Sequence, residues 1–199
     1  MQYGYFCEDT ALEIFIDAVL LKFKNGRLEK NKAFFDQIGI AVQGNDATIE
    51  RQFVDVSKQA QILRLSLFIV ARDYDDKQLD DYENFIKFRK DKLNIKVRNR
   101  TIFCIPRKCI EYWLYYVKYQ NSENPPAPDS LENNSDFNCA KAKADVYKGE
   151  TKNYRYQKQS RETETKHAEE ILHHLDIEKL RTLSPSFDNF YKQLQAVNL

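Results

Sequence analysis

The stretch Phe68–Lys77, FIVARDYDDK, runs a mostly apolar segment straight into three aspartates, Asp73, Asp75 and Asp76. Two unit charges about 4 Å apart repel by roughly 4 kcal/mol at an effective dielectric near 20. Crowding of this kind is relieved by solvent, by basic partners, by protonation or by a hard cation. In an extended segment, side chains two residues apart point the same way, so Asp73 and Asp75 are spaced to reach one magnesium ion. A solvated turn, with Asp76 capping a following helix, accounts for the same residues without a ligand. A second acidic pair, Glu8-Asp9, follows the opening segment QYGYFC. Glu8 suits a general base or a ligand to the same metal. Asp9 suits the positive end of a helix dipole.

These acids need elements that bring them together. QYGYFC reads as a strand. Leu12, Phe15, Ile16, Val19, Leu20 and Phe23 recur at helical spacing, which predicts a helix over about 9–23. AFFDQIGIAVQG (33–44) reads as a second strand, and a helix is expected over about 46–62 on Ile49, Phe53, Val56, Ala60 and Leu63. LRLSLFIVA has the continuous apolar content of a strand covered on both faces. Leu79, Tyr82, Ile86 and Leu93 mark a third helix. RTIFCIP reads as a fourth strand stopped by Pro106, and RKCIEYWLYYVKY as a helix with Ile110, Trp113, Leu114 and Val117 inward. Alternating strands and helices imply an α/β fold with a mostly parallel sheet flanked by helices. Ligands of such sheets sit beyond the carboxyl ends of the strands, where both acid clusters fall.

The chain divides by composition into a core over 1–119, a polar, proline-containing loop or insertion over 120–136 and a helical C-terminal extension over 137–199 packed on the core. Helices are expected there over about 137–148, 163–175 and 186–196. The 199 residues suffice for a core without disulfide or metal staples. A hydrophobic content of 42% excludes a disordered chain, and five glycines exclude a collagen-like one. A net charge of +1 leaves any nucleic-acid surface local. Cys7, Cys104, Cys109 and Cys139 form no Cys-x-x-Cys pair and read as reduced thiols, three of them in apolar surroundings. No apolar segment reaches the roughly 20 residues that span a bilayer, and no signal peptide is evident, so a cytoplasmic protein without a membrane partner is expected.

The order strand–glutamate–helix followed by strand–Asp-x-Asp resembles the TOPRIM domain of topoisomerases, primases and OLD-type nucleases. YFCEDTALEIF and LFIVARDYDD carry the resemblance. IPRKCIEYWLYY, with Glu111, and LSPSFDNFYKQL are similar to a central and a closing helix of small stand-alone TOPRIM-like proteins among bacterial defence genes. The resemblance implies that Glu8 is the acid/base group and that Asp73 and Asp75 bind Mg2+ (or Mn2+), with Asp76 and Glu111 as further candidate ligands. It implies a metal-dependent nuclease acting on DNA or RNA in anti-phage defence, with an ATPase as a partner. One departure stands at the first motif: many TOPRIM domains have glycine where this chain has Asp9. A catalytically weak TOPRIM-like module that docks an ATPase or binds nucleic acid is the alternative. A receiver-like phosphoacceptor domain also clusters acids at strand ends, but fits the Asp-x-Asp-Asp run and the long C-terminal region poorly.

Glu111 reads either as a metal contact or as an ion-pair partner of Arg107 or Lys108. Two basic runs qualify as nucleic-acid surfaces. RKDKLNIKVRNR (89–100) carries six cations and one acid, and reads equally as solvated surface. YKGETKNYRYQKQSR (147–161) carries five cations, one acid and three tyrosines, a mixture that neutralises phosphates and stacks on unpaired bases. Lys141, Lys143, Lys148, Lys152, Arg155 and Lys158 are the candidate nucleic-acid contacts. His167, His173 and His174 lack the partners of a zinc site and read as surface residues.

Overall fold

The computed structural model describes residues 1–23, 27–38, 46–74, 82–133, 138–153 and 155–197. A four-stranded parallel sheet forms from β1 (Gln2–Cys7), β2 (Glu29–Lys30), β3 (Leu67–Ala71) and β4 (Thr101–Cys104), in the order β2-β1-β3-β4. Every residue of β3 and β4 is buried, as expected for strands covered on both faces. Alternation then splits the apolar residues into two cores. Tyr3, Tyr5, Cys7, Leu67, Ile69, Ala71, Ile102 and Cys104 face one core. Phe6, Phe68, Val70, Phe103 and Ile105 face the other.

Helix α1 (Thr10–Lys22) covers the first face, and α3 (Asp46–Ile62), α4 (Tyr82–Asp91) and the short α5 (Ile95–Arg98) cover the second. The expected strand over 33–44 is a correction. The second strand is Glu29–Lys30, and Lys32–Ile38 forms helix α2. Asn31 is the cause: its Oδ1 accepts the N–H of Phe34 at 2.8 Å, and its carbonyl accepts those of Phe34 and Phe35. Local capping outweighs the β propensity of the paired phenylalanines. Residues 39–44 lie outside the described residues, as does Leu79 of the third expected helix.

Helix α6 (Ile110–Tyr119) is buried on nearly all sides, so it needs cover beyond the sheet. The C-terminal elements supply it: α7 (Cys139–Val146), a hairpin of β5 (Thr151–Lys152) and β6 (Arg155–Tyr156), α8 (Arg161–Leu172), α9 (Ile177–Leu183) and α10 (Pro185–Ala196). Trp113 packs against Phe15 of α1 and Phe187 of α10, with ring centroids 5.1 and 5.4 Å away. Its indole N–H donates to Ser186 Oγ at 2.9 Å. The connecting segment is not solvated throughout. Glu132 is 1% exposed and accepts from the hydroxyls of Ser184 and Ser186 at the start of α10. The hairpin, α5 and α9 were not expected, because their residues are too few or too polar to leave a periodic signal.

Among the described residues no helix is long and apolar enough to cross a membrane.

Gly4 makes room for the second core. A Cβ there would lie 2.5 Å from Phe34 Cδ1 and 2.8 Å from a Leu65 methyl carbon. Gly4→Ala is expected to destabilise by about 1–3 kcal/mol through overpacking, read from urea unfolding. The double variant with Phe34→Leu should recover part of that loss; equal stability of Gly4→Ala and the parent would show that the site has slack.

Candidate functional site

The chain winds from β1 to β2 on one side, then returns across β1 to place β3 on the other, so the winding reverses between β1 and β3. Crevices at such switch points are where open α/β sheets bind ligands. Cys7 pairs with Ala71, and Ala71 with Cys104, at the carboxyl ends. The ladder continues past them. Glu8 N–H donates to Ala71 O at 3.0 Å, Arg72 N–H to Cys104 O at 3.2 Å, and Tyr74 N–H to Pro106 O at 3.0 Å. Glu8 and Asp73 are therefore neighbours despite their distance in sequence. Glu8 Oε2 accepts the Asp73 N–H at 3.0 Å.

Asp73 is 6% exposed, and its Oδ1 accepts the N–H of Ile110 at 2.9 Å. Cys109 precedes α6 without a side-chain capping bond of its own; Asp73 caps the helix from the adjacent strand. Asp9 caps α1 through Oδ1 and Leu12 N–H at 2.9 Å, as its place in the sequence suggested. It also lines the cleft described below.

Glu111 is 2% exposed in the first turn of α6. Its Oε1 accepts from Tyr147 Oη at 3.0 Å and lies 3.8 Å from Lys143 Nζ. Its ionic partner is thus Lys143, rather than the expected Arg107 or Lys108. Lys143 and Tyr147 are four apart, so α7 presents both on one side. That spacing was available in the sequence as a pointer to Tyr147. Glu111 Oε2 is buried and takes no conventional hydrogen bond; the neighbouring Cys109 thiol is only a weak donor. A buried oxygen left this way calls for an explanation.

Burial pushes the Asp73 carboxyl well above the usual carboxylate range, and Glu111, Asp9 and Glu8 push the same way while Lys143 opposes. Burial also raises Glu111, against the attraction of Lys143. Lys143 is raised by Glu111 despite its own burial. The floor of the site is a cluster of acids held in low dielectric with one nearby ammonium group.

Glu8, Asp9, Glu111, Lys143 and Tyr147, but not Asp73, line a cleft of about 440 Å3 together with Tyr156, Lys158, Arg161 and Glu164, among others. Of the proposed nucleic-acid contacts, Lys143 and Lys158 line it. Lys152 and Arg155 stand exposed on the hairpin. Lys148 lies 3.9 Å from Glu170 Oε2. Lys141 lines a separate hollow beside Thr151 and Asn153. Arg161, within the basic run at 147–161 but not among the individually named contacts, also lines the cleft. The earlier basic run is largely part of the fold: Arg89 Nε donates to Glu50 at 2.9 Å, and Arg98 Nη2 to the Leu93 carbonyl at 3.1 Å. His173 and His174 are exposed, and His167 Nδ1 lies 3.3 Å from Glu170 Oε2.

Asp75 and Asp76 lie outside the described residues. Among the described residues no three histidine, cysteine, aspartate or glutamate side chains group closely enough to hold a metal. Magnesium, however, is usually held by one or two carboxylates with waters and substrate phosphate completing its octahedron. The hard oxygen donors at the switch point and the uncommitted Glu111 Oε2 fit such an ion in chemical type. No protein-family model, curated protein or solved structure matches the chain.

The raised Asp73 pKa has a definite sign. The native state binds a proton there more tightly than the unfolded chain, whose aspartates titrate near 3.9. This contribution to stability is complete below that value and is lost as pH rises through the elevated native pKa. Asp73→Asn keeps an oxygen acceptor for Ile110 and removes the charge. The variant is expected to be more stable than the parent at pH 7–8, with the difference shrinking toward pH 4. Thermal unfolding across that range checks it, and a parent that is more stable at neutral pH would refute it.

Proposed function

We propose that this chain is a TOPRIM-type, magnesium-dependent nuclease that cleaves phosphodiester bonds in DNA or RNA. The observation that carries the reading is the juxtaposition of Glu8 and Asp73 at the switch point, with Glu8 Oε2 on the Asp73 amide at 3.0 Å. A strand-end glutamate beside a strand-end aspartate is the arrangement that the motif resemblance implies.

In this reading Asp73 holds the ion, with Asp75, Asp76 and Glu111 as further donors. Bound magnesium would neutralise charge that develops on the phosphate oxygens. Glu8 is half-buried on the cleft wall and orients or deprotonates the attacking water. The Ile110 amide fixes Asp73, and the Asp73 amide fixes Glu8, so both acids are positioned before substrate arrives. Lys143 offsets the acidic floor, while Lys158 and Arg161 meet the phosphates of the strand. Anti-phage defence in the cytoplasm, with an ATPase as partner, is the setting that the resemblance suggests.

A specific observation favours a second reading, a binding module without catalysis. Asp73 and Glu8 each spend an oxygen on a main-chain N–H, and Glu111 spends one on Tyr147. Acids engaged in this way also serve as structural ties.

Plasmid, single-stranded DNA and tRNA incubated with Mg2+, Mn2+ or EDTA separate the two. We expect cleavage in metal and none in EDTA. Asp73→Asn and Glu8→Gln should each lower the rate by at least 100-fold while leaving the fold intact by circular dichroism. Binding without cleavage in either metal would favour the module, and cleavage undiminished in both variants would remove these residues from the chemistry.

A further inference from the structure

We infer that the cleft and the β5–β6 hairpin form a track for an unpaired nucleic-acid strand, with Tyr156 as a stacking platform, and that a duplex is not its ligand. The inference rests on the phosphodiester reading above and narrows its substrate class.

Four observations converge. The first is size. A cube of the cleft's 440 Å3 is roughly 8 Å on a side, whereas the major groove of B-DNA alone is roughly 12 Å wide and the whole duplex is wider still. A single strand can place a nucleotide beside Glu8 and Glu111, whereas a duplex cannot enter.

The second is the hairpin's charge. Lys152 and Arg155 are register partners, and both are exposed. Like charges directly opposite one another destabilise a strand pair. An anionic backbone crossing the hairpin would remove that repulsion.

The third is the fixing of Tyr156. Its hydroxyl donates to Glu164 Oε1 at 3.0 Å. A Cβ on Gly149 would lie 2.7 Å from its ring, and the Tyr147 ring centroid is 6.1 Å away. The ring is held on several sides yet remains half-exposed on the cleft wall. A face fixed in advance costs little entropy on stacking, and every base offers a π-face.

The fourth is continuity. Lys158 and Arg161 follow β6 in the chain, and both line the same cleft as the acids. Among the described residues no carboxylate forms an ion pair with either. Cations and an aromatic platform thus run from the hairpin to the strand ends, the combination used where backbones are tracked without base readout.

The test is fluorescence anisotropy with a labelled 20-nucleotide DNA, the same sequence as RNA, and its blunt duplex. It uses full-length protein carrying Asp73→Asn, in EDTA, so that binding is read apart from cleavage. We expect at least one single strand to bind ten-fold or more tightly than the duplex, the two single-strand arms distinguishing DNA from RNA. Tyr156→Ala should lower single-strand affinity about ten-fold, whereas Tyr156→Phe, which keeps the ring and loses the Glu164 bond, should retain it. Lys152→Gln with Arg155→Gln should reduce the slope of log affinity against log salt by about 1.4, from roughly 0.7 per phosphate contact on a single strand. Equal or tighter duplex binding, or unchanged affinity in Tyr156→Ala, would overturn the inference. Its failure is distinct from that of the nuclease reading: cleavage of duplex alone would sink the track and leave hydrolysis standing. Selective single-strand binding without metal-dependent cleavage would do the reverse.

Discussion

Glu8 N–H donates to the Ala71 carbonyl, and the Glu8 carboxylate accepts the Asp73 N–H, each at 3.0 Å. These two bonds extend the β1–β3 ladder beyond its last strand pair and fix where the acids stand. Everything proposed for the site depends on that extension. It requires β1 and β3 to be parallel neighbours, which the order β2-β1-β3-β4 provides. It also requires the chain to leave both strands in extended form, so that a side chain at one end meets the backbone at the other. Had β2 separated β1 from β3, the acids would be one strand further apart and the ladder could not join them.

The second constraint is the burial of α6. The helix is buried on nearly all sides, so α7, α8 and the closing helices must cover it. That cover brings Lys143 and Tyr147 onto Glu111. A carboxylate in the first turn favours the helix dipole, but it is otherwise costly to bury. The C-terminal extension is therefore part of the site as well as of the core: it closes the cleft on one side and supplies its cations. Trp113, wedged against both Phe15 and Phe187, links α1, α6 and α10. The two helices whose first turns border the acids are thereby held in register by packing rather than by loops.

Legibility in the sequence followed the range of the forces involved. Strands β1, β3 and β4 and helices α1, α3 and α6 were readable because each buries a continuous or periodic set of apolar residues. The two strand-end acids could be singled out because a charge that follows such a run has few structural uses. Residues 32–38 misled because the decisive interaction is a single Asn31 cap, which competes with a strand-like composition and leaves no periodic trace. Tyr147 and Arg161 fall within the tyrosine-bearing basic run at 147–161, but their individual roles could not be read from sequence. Their role comes from contact with Glu111 or the cleft across at least 36 residues of chain, and the four-residue spacing from Lys143 to Tyr147 is the one local pointer. The basic run at 89–100 shows the converse, since Arg89 is spoken for by Glu50 from α3.

Charge is distributed in depth as well as in sequence. Asp73 and Glu111 are both buried; Glu111 adds to the cost of ionising Asp73, and Lys143 opposes the rise in both. Lys158 and Arg161 are exposed at the rim, with Lys152 and Arg155 beyond them. Under the proposed function, a phosphodiester approaching from solvent would meet the exposed Lys158 and Arg161 before the buried Glu111, with Glu8, Asp9 and Glu164 also on the wall. It would gain at the rim and be repelled at the floor unless another positive charge were present there. Under the proposed function, the exposed cations, the Tyr156 face and the buried Glu111 would form one path for a charged polymer, ending where the β1–β3 ladder places Glu8.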